Sequence, residues 1–307
     1  MKIILNSLLI AFLAYLFLPS FNSSIASEKG KDIIIHKKDI IIRSDELKAE
    51  HKKDKNAEGF KPIEKPVEKK RETPSLDIVD KYLKEGKKYE ARNILSDLFI
   101  SKKIPEKQKE IKELLDKLNE ELIFSSLPSP DATMYTVQPG DVLARIAKQF
   151  NTNYELIARI NKKSPTRLNI GDKLKILTGK EKILINKSDY TLTLLLNDYY
   201  VKQYRIGIGK NDKTPAGTFE VKNKMKEPTW YSPSGGIFPY GHPENILGTR
   251  WIGFKDKPGL YGYGIHGTTL PESIGTASSN GCVRMVNSDM EELYDFVTLD
   301  TKIIIQR

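Results

Sequence analysis

The chain of 307 residues carries 50 Lys and Arg against 40 Asp and Glu, a net charge of +10, with 39% apolar and 29% charged residues. That length allows two domains, or one large domain with appendages, and a single long apolar run at the extreme N-terminus excludes a multispan membrane protein. The lone cysteine, Cys282, excludes an intramolecular disulfide and any metal site built from several thiolates.

The N-terminus has the pattern of an export signal. Met1 and Lys2 give a short positive end, and Ile3 to Leu18 is apolar apart from Asn6 and Ser7. Ser24-Ile25-Ala26 has the small-x-small pattern of a cleavage site, so residues 1–26 are expected to be a signal peptide. The run falls short of the ~20 residues that span a bilayer. Cleavage is therefore favoured over an uncleaved anchor, which would be the only route to a membrane. Residues 27–74 are rich in Lys and Glu, with Pro62, Pro66 and Pro74 and few large apolar residues after Ile42. Such a segment buries too little surface to offset its ordering entropy and is expected to be a disordered tether.

Residues 75–124 change character. Ser75 is placed to cap a helix carrying Ile78, Val79, Tyr82 and Leu83, which Gly86 ends. Ala91, Ile94, Leu95 and Leu98 repeat at helical spacing, and Pro105 opens a third helix striped by Ile111, Leu114, Leu115, Leu118 and Leu122. The pattern resembles one helical hairpin of the tetratricopeptide type with a following helix. One such repeat buries little. It is either a docking face for a protein partner or a spacer packed on its neighbours, and the spacer is favoured. Residues 125–130, rich in Ser and Pro, read as a linker. The basic residues are interleaved with acidic ones and lack aromatic stacking partners, which argues against nucleic acid.

Residues 134–178 read strand, helix, helix, strand. Tyr135 to Val137 alternates, the turn Gln138-Pro139-Gly140-Asp141 follows, and Asp141 is placed to cap a helix with Leu143, Ile146, Ala147 and Phe150. A second helix carries Leu156, Ile157 and Ile160, and a closing strand carries Leu174 and Ile176. Tyr135-x-Val137-x-x-Gly140-Asp141-x-Leu143-x-x-Ile146-Ala147, then Asn161 and Leu168-x-x-Gly171-x-x-Leu174-x-Ile176, closely resembles the LysM domain. That resemblance implies binding of N-acetylglucosamine units between two loops, here Gly140, Asp141, Val142 and Leu143 with Leu168, Asn169 and Ile170. It implies targeting, not catalysis.

Residues 181–307 are rich in strand signals. Ile183 to Ile185 is one; Tyr190 to Leu196 and Tyr200 to Ile206 pair across Asn197-Asp198; Thr218 to Val221 and Lys302 to Ile305 are others. Ser288-Asp289-Met290-Glu291 suggests a capping box for a short helix through Phe296. The expected fold class is α+β and multidomain: a mainly β C-terminal domain, a small βααβ module and an N-terminal helical region.

The chemistry lies in Ile265-His266-Gly267-Thr268 and Ser278-Ser279-Asn280-Gly281-Cys282-Val283-Arg284-Met285. A nucleophilic thiol needs a base, and His is the usual one. Gly281 permits a tight turn with free amides for an oxyanion, and Arg284 suits a carboxylate. A lone Cys is otherwise a small buried hydrophobe. His-Gly-x followed by Ser-x-Gly-Cys-x-Arg resembles the L,D-transpeptidase catalytic domain. Supporting matches are Thr214-Pro215-x-Gly217-x-Phe219, Thr229-Trp230 and Asn245-x-Leu247-Gly248, with Ile246 departing from the usual proline.

The resemblance implies Cys282 as nucleophile, His266 as base, and the Gly267 carbonyl orienting the imidazole. The amides of Gly281 and Cys282 would serve as oxyanion donors, and Ser279, Asn280, Arg284 and Trp230 would shape the substrate site. His242 has no assigned part. No metal or cofactor is implied. The implied partners are peptidoglycan glycan strands and stem peptides, in the bacterial cell envelope or periplasm. The expected reaction is 3→3 cross-linking through a cysteine thioester. The alternatives are L,D-carboxypeptidase action, attachment of a protein to the wall, or a non-catalytic wall-binding scaffold. Pairing of Cys282 with an imidazolium is expected to lower its pKa.

Overall fold

A computed structural model describes residues 75–299 and 301–307, all within one unit, Lys69–Arg307. The expected signal peptide and tether lie outside the described residues. Among those described, no helix is long and apolar enough to cross a membrane.

The chain begins with three helices, α1 (Leu76–Lys84), α2 (Lys88–Ser101) and α3 (Gln108–Leu122). Ser75 caps α1, its hydroxyl accepting from the Ile78 amide, and Gly86 turns the chain at φ +73°. Pro105 opens a short 3-10 turn ahead of α3. The next elements are β1 (Ala132–Thr136), α4 (Leu143–Gln149), α5 (Tyr154–Asn161) and β2 (Lys173–Leu177), with β1 antiparallel to β2. Val137, Leu143, Ile146, Ala147, Ile157, Ala158, Leu174 and Ile176 form their own small core.

The remainder is an eight-stranded mixed sheet. In chain order its strands are β3 (Glu181–Asn186), β4 (Thr191–Leu196), β5 (Tyr199–Arg205), β7 (Gly217–Lys226), β10 (Arg250–Phe254), β11 (Gly264–His266), β13 (Val283–Arg284) and β14 (Lys302–Gln306). In space they run β13-β11-β10-β7-β14-β3-β4-β5. Two pairs are parallel, β14 with β3 and β11 with β13. The small strands β6 (Ile208–Gly209) and β12 (Ala277–Ser279) pair with each other, as do β8 (Trp230–Tyr231) and β9 (Ile237–Phe238). Helix α6 (Asn287–Phe296) precedes β14. The architecture is mixed α+β with a mainly β C-terminal part.

The helical hairpin is not a free docking face. A sheet edge presents unpaired amides and carbonyls and must be covered. On β5, the Tyr200 amide donates to Ser96 Oγ at 2.7 Å, and Asn119 Nδ2 donates to the carbonyls of Tyr200 and Val201 at 2.8 and 2.9 Å. The apolar stripes of α1–α3 are spent beneath these bonds: Val79, Leu95, Leu115 and Leu122 join Ile183, Leu192, Phe219 and Ile303 in one continuous core.

Two expected caps are absent. Asp141 does not cap α4; its carboxylate accepts from the Gln138 amide and the Tyr135 hydroxyl, closing the turn before the helix. Ser288 does not form a capping box, because α6 already begins at Asn287 and has no side-chain cap. The Asn287 side chain is engaged elsewhere.

Candidate active site

The parallel register of β11 and β13 sets His266 beside Arg284 and Ile265 beside Val283. Cys282 immediately precedes β13, so the same register carries it towards Gly264. Gly281 holds φ at +136°, and a Cβ there would fall 2.7 Å from the Tyr263 ring, so only glycine fits. The loop is pegged on both sides. Thr214 Oγ1 accepts from the Gly209 amide at 2.7 Å and donates to the Gly281 carbonyl at 2.8 Å. Ser279 Oγ donates to the Cys282 carbonyl at 2.7 Å and accepts from the Gly281 amide at 3.0 Å. That last bond corrects the expectation of a free Gly281 amide: the Ser279 hydroxyl occupies it.

His266 is buried on a strand end, with Nδ1 2.5 Å from the Gly267 carbonyl oxygen. A carbonyl can only accept, so Nδ1 carries the proton and Nε2 of the neutral ring is left as the acceptor. Trp251 stacks on the imidazole, ring centroids 6.0 Å apart and planes 21° apart. Burial pushes the imidazole pKa down to about 4, and the Arg284 charge adds to the fall, while the carbonyls of Gly267 and Leu247 oppose it. Burial also raises the Cys282 thiol, partly offset by a backbone hydrogen bond from Gly264 and the charge of Arg284. Against the expected lowering of the thiol pKa, burial acts in the upward direction, although Cys282 itself is only half-buried. Thiol and imidazole rest as a neutral pair at pH 7, with Sγ 3.7 Å from the Gly262 carbonyl oxygen.

Cys282, His266, Ser279, Asn280, Arg284 and Trp230 all line one cavity of about 550 Å³. Six residues expected from sequence are thus brought together. Gly267 lies behind the imidazole rather than in the wall. Arg284 Nε is buried with no partner among the described residues, an unpaired donor in a side chain that lines the cavity. Sequence reasoning missed Asn223, Met225, Trp251, Tyr261 and Tyr263, which also line the walls. The alternation Asn223-Lys224-Met225 was a usable signal, since successive strand residues face opposite sides. Tyr231 also lines the cavity, and Asn245 fixes the segment 227–249 that joins β7 to β10: its Nδ2 donates to the carbonyls of Pro228 and Phe238, both at 2.9 Å. His242 is exposed and lies outside the cavity. A larger cleft of about 860 Å³, walled by residues including Asn153, Lys180 and Lys302, holds neither Cys nor His. Among the described residues no cluster could hold a metal ion.

In the small module, the Val137 amide donates to Asp172 O and Val137 O accepts from Gly171 N, each at 2.9 Å. This lays the 169–172 turn beside the 138–141 turn. Gly140, Val142, Asn169 and Ile170 are exposed, and Asp141 and Leu168 half-buried. Leu143 departs from the expectation: it is 2% exposed and belongs to the core, so it is not open to a ligand.

Residues 180–305 match the model of the L,D-transpeptidase catalytic domain, and residues 135–177 match the LysM domain. YqjB of Bacillus subtilis, classed as an L,D-transpeptidase, is 37% identical over 132 residues, 42% of this chain and 73% of its own length. This chain belongs to the L,D-transpeptidase family. Another protein so classed, YkuD of Bacillus subtilis, is 33% identical over 180 residues, 56% of this chain and 98% of the relative. An L,D-transpeptidase structure from Mycobacterium smegmatis aligns with 45% of this chain and 65% of its own at 18% identity. The TM-score of this alignment is 0.35. Within an L,D-transpeptidase, the cavity around Cys282 and His266 is the candidate active site.

Proposed function

We propose that this L,D-transpeptidase forms 3→3 cross-links in peptidoglycan through a thioester on Cys282. The observation that carries the reading is the single cavity holding Cys282, a His266 whose Nδ1 proton is committed to Gly267 O, and an Arg284 with a free Nε. The donor is a tetrapeptide stem, its terminal carboxylate held by Arg284. Cys282 Sγ attacks the carbonyl between the diamino acid and D-alanine as His266 Nε2 takes the thiol proton. The Cys282 amide stabilises the oxyanion; Gly281 can add its amide only by releasing Ser279 Oγ. His266 then protonates the departing D-alanine amine, and the thioester forms. The amine of a neighbouring stem attacks the thioester, His266 removes its proton, and the thiol is restored with the new amide bond.

The LysM domain holds the enzyme on glycan through the two exposed turns, which places the protein in the cell envelope. The N-terminal pattern supports export. Water or a protein lysine could resolve the same thioester, giving a carboxypeptidase or a protein attachment enzyme. Mass analysis of purified tetrapeptide muropeptides after incubation decides among these. A cross-linked dimer with release of D-alanine is expected. A tripeptide monomer alone would replace this reading by hydrolysis, and unchanged muropeptides would favour a scaffold.

A further inference from the structure

Asn287, the first residue of α6, does not cap its own helix. Its Oδ1 accepts from the amides of Thr268 and Thr249, at 3.1 and 3.2 Å. The Thr268 amide belongs to the same peptide unit as the Gly267 carbonyl, which accepts the Nδ1 proton of His266. One rigid peptide plane therefore carries the imidazole at one end and Asn287 at the other. Both glycines beside this contact leave room for it. A Cβ on Gly248 or on Gly267 would lie 2.2 Å from Asn287 Oδ1.

We propose that Asn287 is a positioning residue for His266, acting through the Gly267–Thr268 peptide. Its acceptance of the Thr268 N–H fixes the plane of that peptide and polarises it, making Gly267 O a stronger acceptor. The carbonyl then keeps the proton on Nδ1 and leaves Nε2 bare in a ring that lines the same cavity as Cys282. The set Asn287, peptide and His266 does the work that a carboxylate does behind the imidazole of a Ser-His-Asp site. Among the described residues no carboxylate lines the active-site cavity; the titratable groups that share it with the imidazole are Cys282, Tyr231, Tyr261, Tyr263 and Arg284, and the charge that acts on the imidazole is that of Arg284. On α6, Glu292 is paired with Lys202 and Tyr204, while Asp289 and Glu291 lie beyond Asn287 along the helix.

The inference deepens the proposed reaction and rests on it, but it is tested on the imidazole itself. The full chain labelled with 15N-histidine is titrated by NMR, with His266→Gln assigning the signal. In Asn287→Asp, a carboxylate can accept the same two amides and adds negative charge behind the peptide. The imidazole pKa should then rise from its wild-type position near 4 towards the ordinary range. In Asn287→Leu, which keeps the branched shape and removes the acceptor, the share of neutral ring protonated at Nδ1 should fall. Alkylation of Cys282 by iodoacetamide at pH 7 should slow by about 10- to 100-fold, as a misplaced base does. Unchanged titration in Asn287→Asp overturns the proposal, and this variant decides if Asn287→Leu fails to fold. A separate arm incubates wild type with imipenem, a β-lactam whose strained amide can acylate a nucleophilic thiol. An adduct absent from Cys282 would count against the thioester reading while leaving the titration result to stand.

Discussion

A buried imidazole at about 4 beside a raised thiol sets the pH dependence of the site. Acylation by imipenem should rise with pH through about 4 as His266 loses its proton, and stay high at neutral pH. The ordinary imidazole midpoint of about 6.5 should leave no step. The same shift acts on stability. The folded state binds the imidazole proton more weakly than the unfolded state, so this contribution is complete above the unfolded pKa. It is lost as pH falls towards 4. His266→Gln should flatten that part of the melting-temperature profile and slow acylation by several orders of magnitude. An iodoacetamide midpoint for Cys282 well below the ordinary thiol value would contradict the neutral pair. Cys282, His266 and Arg284 were legible from their spacing. The neutral resting state was not, because residue types imply a charge partner while only packing reveals how much water the pair has lost. Gly281 shows the same limit: glycine announced the turn, but not that Ser279 Oγ would fill its amide.

The elements around the site are held by groups whose purpose becomes clear only in the fold. Leu95 and Leu115 are fully buried between the helices and the sheet. Replacing either by Ala should cost about 2–5 kcal/mol in denaturant unfolding, although each is remote from Cys282. Asn119→Ala should cost about 1–3 kcal/mol, because it leaves two buried carbonyls of β5 without their donor. Unfolding curves that match wild type would mean the helices are dispensable. The helices themselves followed from apolar spacing and from Ser75, Gly86 and Pro105. Their partner did not, since a stripe of Leu and Ile says that a face is covered without saying by what. The Ser288 capping pattern misled because a local motif was outweighed by the use of Asn287 at the Thr249 and Thr268 amides.

For the whole molecule, the LysM part is docked rather than loosely tethered. Arg159 Nε and Nη2 reach Asp295 Oδ2 at 2.8 and 2.6 Å, and Asn153 Nδ2 donates to the carbonyls of Asp295 and Val297, both at 2.8 Å. Lys226, on the strand whose Asn223 and Met225 line the cavity, pairs with Glu155 at 2.6 Å. Removing residues 1–178 would strip α1–α3 from the shared core and uncover β5, so such a fragment should be unstable and should not report on targeting. Glycan binding is better tested with Val142→Asp and Ile170→Asp together, since both side chains are exposed at 52% and 70%. Sedimentation with sacculi should fall while acylation by imipenem is unchanged. Equal sedimentation would remove the two turns from glycan binding. The connection between the two parts, residues 178–181, is short, but the ion pairs that dock them join residues more than 70 positions apart in sequence, beyond the reach of any local pattern. The central claim is acyl transfer through Cys282, and acid-quenched enzyme turning over a tetrapeptide muropeptide tests it most directly by mass spectrometry. The account predicts a labile acyl adduct on the peptide bearing Cys282, lost with hydroxylamine and absent in Cys282→Ala. Cross-linked product from Cys282→Ala, or turnover with no adduct on that peptide under conditions that trap thioesters, would contradict it.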